Sequence, residues 1–391
     1  MRILHCVESY FPSIGGMQEV VRQLSERLVK LGHQVTVATS SHPQRNFNSK
    51  QGVKIVQFQI EGNLASFITG DIEGYKNFLL NGEFDVITFF AAQQWATDIA
   101  LPILKQIKCK KVSIPTGYSG FNWPEYRTYY ENMKIWIKNF DMNVYLSYDY
   151  RDINFAKNND VNKIVIIPNG AAADEFLIDS TIDIKKKLDI PENHFLCLHV
   201  GSYTGNKGHK EAIRIFLKSK IKQGTLLMIG NGHEMFYRQY IKHPSLFFLY
   251  IKNKLFGSKR IIFNAFSREF TVAAYKQANL FLFPSNIECS PIVLFESAAA
   301  KLPFLSSDAG NSKEISEWTG GGEIIPTNKD HSGYSHVDIK SGVRMLNEMY
   351  ENESKRKQMA NTAFINWQQK FSWEVITLEY EKLYLALLNQ K

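Results

Sequence analysis

Leu280-Phe281-Leu282-Phe283-Pro284-Ser285-Asn286-Ile287-Glu288-Cys289-Ser290-Pro291-Ile292-Val293-Leu294-Phe295-Glu296 reads as a strand, a loop and the opening of a helix. The apolar run Leu280 to Phe283 is a short buried strand that stops at Pro284. Ser290 has the chemistry of a helix N-cap, and Pro291 suits the first helical position, where a missing N–H costs nothing. Glu288 then stays in the loop and Glu296 falls on the second helical turn. The backbone amides of Ile292 and Val293 point into the gap between the two carboxylates. Free amides at the positive end of a helix dipole attract an anion such as a diphosphate. An ionised carboxylate accepts two O–H donors at once, which suits sugar hydroxyls. A nucleotide diphosphate-sugar offers both parts.

The same grammar runs through the chain. Apolar strand-like runs near 3–7, 34–39, 54–58, 85–89, 111–115, 144–147 and 163–167 alternate with helical patterns. A second series follows near 195–200, 225–229, 260–263, 280–283, 304–306 and 323–325. Such alternation predicts parallel sheets and an α/β fold. The first helix carries Met17, Val20, Val21, Leu24, Leu28 and Leu31 on one face and stops at Gly32. Both halves open with a strand, a glycine-bearing loop and a helix. The chain therefore reads as two Rossmann-like units, whose ligands bind beyond the C-terminal strand ends. At 391 residues it is too long for one ordinary core. The boundary is expected just after Asn169-Gly170, with a first domain over 1–172 and a second over 173–370. Helical patterns finish the chain over roughly 337–352, 354–370 and 373–389.

Composition narrows the class. Hydrophobic residues make up 44% and charged residues 21%, the balance of a soluble globular chain. The four cysteines, at 6, 109, 197 and 289, are scattered, with no close pair to ligate a metal. The chain enters a strand within its first residues, which predicts no signal peptide. Its longest apolar candidate, around Leu246 to Ile251, is far short of the roughly 20 residues a membrane helix needs. A cytoplasmic protein is expected. The net charge of +8, from 46 basic and 38 acidic residues, fits phosphorylated ligands or an anionic membrane surface. It is too modest and dispersed for nucleic acid, and no zinc-finger spacing or RNA-binding signature accompanies it. There is no Gly-x-Ser-x-Gly elbow and no phosphate loop ending in Gly-Lys-Ser/Thr. There is no Asp-x-Asp either, so a divalent metal against a diphosphate has no obvious ligands. No metal and no cofactor is expected, and the leaving group falls to side-chain cations and backbone amides.

The quoted segment resembles the glutamate–seven residues–glutamate signature of glycosyltransferase family 4, retaining enzymes of the GT-B fold. Met1-Arg2-Ile3-Leu4-His5-Cys6-Val7 followed by Pro12-Ser13-Ile14-Gly15-Gly16 is similar to the family's first strand and donor loop. Ile166-Ile167-Pro168-Asn169-Gly170 resembles the end of its first domain, and His199-Val200-Gly201-Ser202 with Lys207-Gly208 the start of its second. Two glutamates at this spacing are weak evidence alone; four motifs in the right order at the right distances are specific. The resemblance implies two domains facing across a cleft, with a last helix over 371–391 crossing back onto the first domain. Ser372 would cap that helix and Trp373 anchor it. It also implies a retaining, metal-independent transferase. Such an enzyme moves a sugar from a nucleotide diphosphate-sugar to a glycan or lipid-linked acceptor, as in bacterial surface polysaccharide synthesis.

Candidate residues follow. Lys207 is expected to open a helix over 207–218, so that its ammonium and the helix terminus both face a diphosphate; the alternative is a solvated first-turn lysine. Gly15 and Gly16 permit positive φ and close approach of backbone amides to a ligand. The resemblance assigns Glu288 to the donor sugar and Glu296 to the ribose hydroxyls, with Pro291, Ile292 and Val293 around the phosphate. Ser202 stands where the family usually has an arginine, and losing a charge-assisted contact costs roughly 1.5–3 kcal/mol. His209 and Lys210 are the nearby candidates to compensate. Thr116 stands where many members carry a histidine; it can hydrogen-bond a sugar hydroxyl but is no base at neutral pH. Asn231 is either a nucleotide contact or part of a turn. The aromatic-dense stretch Tyr118 to Phe140, with Tyr118 and Trp123, reads as acceptor contact or as core. Tyr237 to Phe263 mixes aromatic and basic residues and reads either as a peripheral dock on anionic membrane at the inner face of the cell or as a helix plus a buried strand. Two rival functions stay open: a nucleotide-sugar isomerase, whose acid/base pair is not found here, and a non-catalytic scaffold for a partner transferase, which Ser202 and Thr116 favour.

Overall fold

Parallel strands flanked by helices are buried on both faces and need near-continuous apolar sequence. The computed structural model shows that pattern in two separate sheets. It describes residues 1–232 and 258–390, together with Phe248, Ile251 and Asn253. Two compact units result: Met1–Asn169 with Trp373–Lys391, and Gly170–Ser372.

In the first unit the strands are β1 (Arg2–Cys6), β2 (Gln34–Ser40), β3 (Ser49–Lys50) and β4 (Val53–Phe58), then a hairpin of β5 (Ile60–Gly62) and β6 (Ile68–Gly70). β7 (Val86–Phe90), β8 (Lys110–Ile114), β9 (Met142–Tyr145) and β10 (Ile164–Ile166) follow. The main sheet runs β10-β9-β8-β7-β1-β2-β4-β3, with only the short β3 antiparallel to its neighbour. β1 is central: Ile3 pairs with Val35 on one side and Val86 on the other. The helix Gly16–Lys30 buries Val20, Val21, Leu24 and Leu28, as its periodicity predicts. Leu31, expected on the same stripe, is the C-cap residue and stays exposed. The last helix, Trp373–Asn389, packs on Gly16–Lys30 within this unit, where Arg27 meets Glu374 at 2.8 Å and His33 meets Glu381 at 2.7 Å.

In the second unit β11 (Phe195–Val200), β12 (Gln223–Ile229), β13 (Ser258–Asn264), β14 (Leu280–Phe283), β15 (Phe304–Ser307) and β16 (Gly322–Ile325) form one parallel sheet ordered β13-β12-β11-β14-β15-β16. Successive strand residues alternate between two cores. Leu196, Leu198, Phe281 and Phe283 enter one, and Cys197, Leu280 and Leu282 the other. β17 (Thr327–Lys329) and β18 (Ser335–Val337) make a hairpin that the sequence does not announce. The chain moves outward from β11 to β13 and then returns to β14 on the other side of β11. Strand order thus reverses between β11 and β14, the kind of switch point at whose strand ends ligands bind in such sheets.

Two helix starts differ from expectation. The helix expected from Lys207 begins at His209, because Gly208 takes a left-handed conformation at its N-cap. The helix Ile292–Ala299 has Pro291, not Ser290, as its N-cap residue, with ψ of 109° outside the helical range. The helix expected to reach 370 ends at Asn366 and passes into a π-helical turn over Trp367–Phe371.

Two buried aspartates hold irregular backbone at the strand ends of the first unit. After β7, Ala91 and Gln93 have φ of 61° and 64°. Asp98 accepts from the Gln93 amide at 3.2 Å, the Leu64 amide at 3.0 Å and the Tyr129 hydroxyl at 2.9 Å. After β8, Thr116, Gly117 and Tyr118 have φ of 56°, 99° and 50°, and Asp152 accepts from the Gly117 amide at 2.8 Å. Non-glycine residues in such conformations cost on the order of 1–3 kcal/mol each and persist only when neighbours hold them. Burial pushes Asp98 up to about 7 and Asp152 up to about 6 from the usual 3.8. Between about pH 4 and 7 the folded chain therefore binds more protons than the unfolded chain. This contribution to stability is full at the acid end and lost as pH rises through the folded values. Urea denaturation at a series of pH values should show a flatter pH dependence for Asp98→Asn than for the wild type over that window; equal slopes would reject the assignment.

Candidate functional site

The switch point of the second unit is flanked by the loop 201–208 after β11 and the loop 284–291 after β14. They touch at the limit of contact. A Cβ at position 208 would stand 1.9 Å from the Pro284 carbonyl oxygen, and Gly208 has φ of 70°. Glycine is required there on both counts. Beside this contact Lys207 Nζ lies 2.7 Å from Glu288 Oε1, and the Ser285 hydroxyl donates to the same oxygen at 2.7 Å. The carboxylate that the sequence leaves in an open loop is thus held from two sides, with its side chain 10% exposed.

The whole 284–291 loop is braced by its neighbours. The Asn286 amide donates to the Asn206 carbonyl at 2.9 Å, and the Asn311 amide to the Cys289 carbonyl at 2.9 Å. The Ser307 hydroxyl donates to the Ser285 carbonyl. The unannounced hairpin completes the brace. The Ser335 amide of β18 donates to the Asn286 carbonyl at 2.7 Å, and Asn286 Nδ2 donates to the Ser335 carbonyl at 2.9 Å.

Glu296 lies on the second turn of Ile292–Ala299, its side chain 4% exposed, with Oε1 2.6 Å from Arg268 Nη1. The same guanidinium reaches Glu175, with Nε 2.9 Å from Oε2. Burial, and then the Glu296 charge, push the nearby Tyr275 phenol well above its ordinary range. Sequence reasoning missed Arg268, since no local spacing ties 268 to 175 or 296. The available signal was its place just past a serine N-cap, beyond the C-terminal end of a strand; the Ser267 hydroxyl accepts from the Phe270 amide at 3.3 Å.

Charge near Lys207 is simpler than expected. Burial pushes His199 down to about 4 and His209 down to about 2, with the Lys207 charge a smaller push in the same direction. Both are neutral at pH 7. His209 is buried and stacks on Tyr203 at 4.4 Å, so it does not supply the cation missing at the exposed Ser202. The Asn231 carbonyl, beyond β12, accepts from the Tyr203 amide at 3.0 Å. The amides of Ile292 and Val293, following Pro291, belong to a first helical turn and have no intrahelical acceptor. Together with Lys207 they suit an anion.

In the first unit, Gly15 is the N-cap residue of Gly16–Lys30 with φ of 175°, extended backbone open to any residue, so positive φ is not its reason for being glycine. Tyr118 is 1% exposed and makes edge contacts with Tyr130 and Phe155 at 5.2 and 5.5 Å. It belongs to the core and faces no ligand. Trp123, five residues on, is 44% exposed. Of the stretch Tyr237 to Phe263, residues 237–247, 249, 250, 252 and 254–257 lie outside the described residues. Among the described residues no helix is long and apolar enough to cross a membrane.

Family comparison agrees with this geometry. The family model for glycosyl transferases group 1 matches residues 180–364, and that for glycosyltransferase family 4 matches residues 14–175. The chain belongs to these glycosyltransferases. An uncharacterized glycosyltransferase of Methanocaldococcus jannaschii is 24% identical over 407 residues, covering 98% of each chain. Among solved structures, HepE of Anabaena in complex with UDP and glucose matches with a TM-score of 0.75 at 15% identity, over 99% of this chain and 100% of its own. WaaG, a glycosyltransferase involved in lipopolysaccharide biosynthesis, matches with a TM-score of 0.70 at 18% identity, over 99% and 100%. The fold is GT-B.

In this glycosyltransferase the Arg268–Glu296 pair is directly testable. Arg268→Ala removes the guanidinium from a buried carboxylate, a change that costs about 3–5 kcal/mol in fully buried pairs. Arg268 itself is 38% exposed, which sets the expected loss at the lower end. Arg268→Lys keeps the charge but lacks the fork that spans two carboxylates, and should recover less than half. Chemical denaturation reads the loss; an unchanged midpoint in Arg268→Ala would show that the pair does not hold Glu296.

Proposed function

We propose that this glycosyltransferase is a retaining, metal-independent enzyme. It moves a hexose-type sugar from a nucleotide diphosphate-sugar to a glycan or lipid-linked acceptor in surface polysaccharide synthesis. The observation that carries the reading is the convergence, at one topological switch point, of Lys207, Glu288 and the first-turn amides of Ile292–Ala299, with Glu296 one turn further on. A diphosphate gives the Lys207 ammonium a second anionic partner and the helix N-terminus its ligand. Glu288 is placed to accept from a hydroxyl of the donor sugar, while Glu296, held by Arg268, accepts from the ribose.

Lys207 and the first-turn amides carry the diphosphate charge in this reading; among the described residues no three His, Cys, Asp or Glu side chains group to hold a metal ion. In a front-face reaction the leaving phosphate accepts the acceptor's proton, and Thr116 needs no basicity. The complex of HepE with UDP and glucose makes a uridine donor the first to test, and WaaG's part in lipopolysaccharide synthesis supports a surface glycan as the setting.

Steady-state kinetics separate the roles. Lys207→Ala removes a cation acting on charge that grows as the glycosidic bond breaks, so turnover should fall on the order of 10²–10³-fold. Glu296→Ala removes a contact made equally before and during reaction and should mainly raise KM. Glu288→Ala should lower kcat more than it weakens binding of the bare nucleotide. NMR of the purified product reads its anomeric configuration, and an inverted linkage would overturn retention. Wild-type protein that binds nucleotide but neither transfers nor hydrolyses any donor would be a scaffold instead.

A further inference from the structure

The helix Arg127–Trp136 turns Tyr129, Tyr130 and Met133 into the core of the first unit, which leaves Arg127, Glu131 and Lys134 on the opposite face at helical spacing. The helix Arg151–Asn158 does the same with Ile153, Phe155 and Ala156 inward, and Arg151, Asn154 and Asn158 recurring at the same period. These two polar stripes, with the loop that precedes the first helix, line one groove of about 670 Å³. That volume lies within the range of small-ligand sites, roughly 300–1,000 Å³.

Its chemistry is specific. Trp123 is 44% exposed and Phe121 36%, yet both rings are fixed from below, Trp123 by Tyr126 at 6.0 Å and Phe121 by Tyr130 at 4.9 Å. Held aromatic rings with open surface suit the apolar faces of sugar rings. The asparagine amides offer donors and acceptors to neighbouring hydroxyls. Lys134 is neutralised by Glu131 at 2.7 Å. The Arg127 guanidinium makes no hydrogen bond or ion pair among the described residues. The Arg151 guanidinium has, among them, one long bond of 3.5 Å to the Tyr118 carbonyl and a contact with the Tyr150 ring, and its charge also acts on the buried Asp152. Two guanidinium forks are therefore ready for carboxylate or phosphate groups.

We propose that this groove docks an oligosaccharide chain bearing anionic groups. The site lies outside the Lys207–Glu296 cluster and does not depend on the donor chemistry proposed above. A single nucleic-acid strand fits less well, since a backbone track needs a continuous run of cations and here Glu131 interrupts it.

Titration calorimetry on the full chain tests this with tetragalacturonate, a hyaluronan tetrasaccharide, neutral cellotetraose and UDP, all at low salt. At least one uronate tetrasaccharide should bind saturably and cellotetraose at least tenfold more weakly. Trp123→Ala and Arg127→Gln should each weaken uronate binding about tenfold, which corresponds to about 1.4 kcal/mol. UDP binding should be unchanged in both, which also shows that they fold. No saturable uronate binding, undiminished binding by the Trp123→Ala/Arg127→Gln double variant, or tighter binding of a single-stranded oligonucleotide would overturn the proposal. Uronate binding without UDP binding would rule out a uridine donor and leave the groove standing.

Discussion

The contact between Gly208 and the Pro284 carbonyl is the constraint on which the second unit's site depends. β11 and β14 are parallel neighbours, with Cys197 opposite Leu280 and Leu198 opposite Phe281, so their following loops emerge side by side. Only a residue without a Cβ lets them meet as they do. That approach places Lys207 within 2.7 Å of Glu288 and lets the Asn206 carbonyl receive the Asn286 amide. Any side chain at 208 must push the loops apart by about an ångström, which takes the Asn286–Asn206 backbone bond out of hydrogen-bond range.

The two glutamates are secured by different means. Glu288 shares one oxygen between a flexible ammonium and a hydroxyl, both of which a ligand can displace. Glu296 is set on a helix and gripped by a planar guanidinium that also spans to Glu175. One carboxylate thus sits on a loop beside a lysine, and the other on a helix beside an arginine. Buried ion pairs contribute little net stability compared with apolar packing, so stability alone gives these residues no reason to be charged. The neutral state of His199 and His209 sharpens the arrangement, because positive charge beside Glu288 then rests on Lys207.

What the sequence conveys follows from burial. Leu280 to Phe283 is legible as a strand because both of its faces enter cores, and the stripe of Gly16–Lys30 because one face does. The loops were legible only by motif. Thr327-Asn328-Lys329 is polar and short, and nothing in it announces a strand, yet its hairpin partner Ser335 secures Asn286. Aromatic density could not separate Tyr118 from Trp123, since only the direction of the chain after β8 decides which ring turns inward. Arg268 was invisible because its partners lie at positions that only the fold makes adjacent.

Irregular backbone gathers at the C-terminal strand ends of both units, but each restrains it in its own way. The second unit uses glycines, at 205, 208 and 310, where positive φ carries no steric cost, and fixes the result with hydrogen bonds and ion pairs. The first uses Ala91, Gln93, Thr116 and Tyr118, residues with side chains to keep, and restrains them with Asp98 and Asp152. Those side chains are what the cost secures: Tyr118 packs in the core against Tyr130 and Phe155, and Gln93 Oε1 receives the Gly120 amide at 3.2 Å. The strained loop after β8 therefore sets the path of the chain into Phe121-Asn122-Trp123. The exposed rings of Phe121 and Trp123 thus follow a loop that a buried carboxylate holds at Gly117.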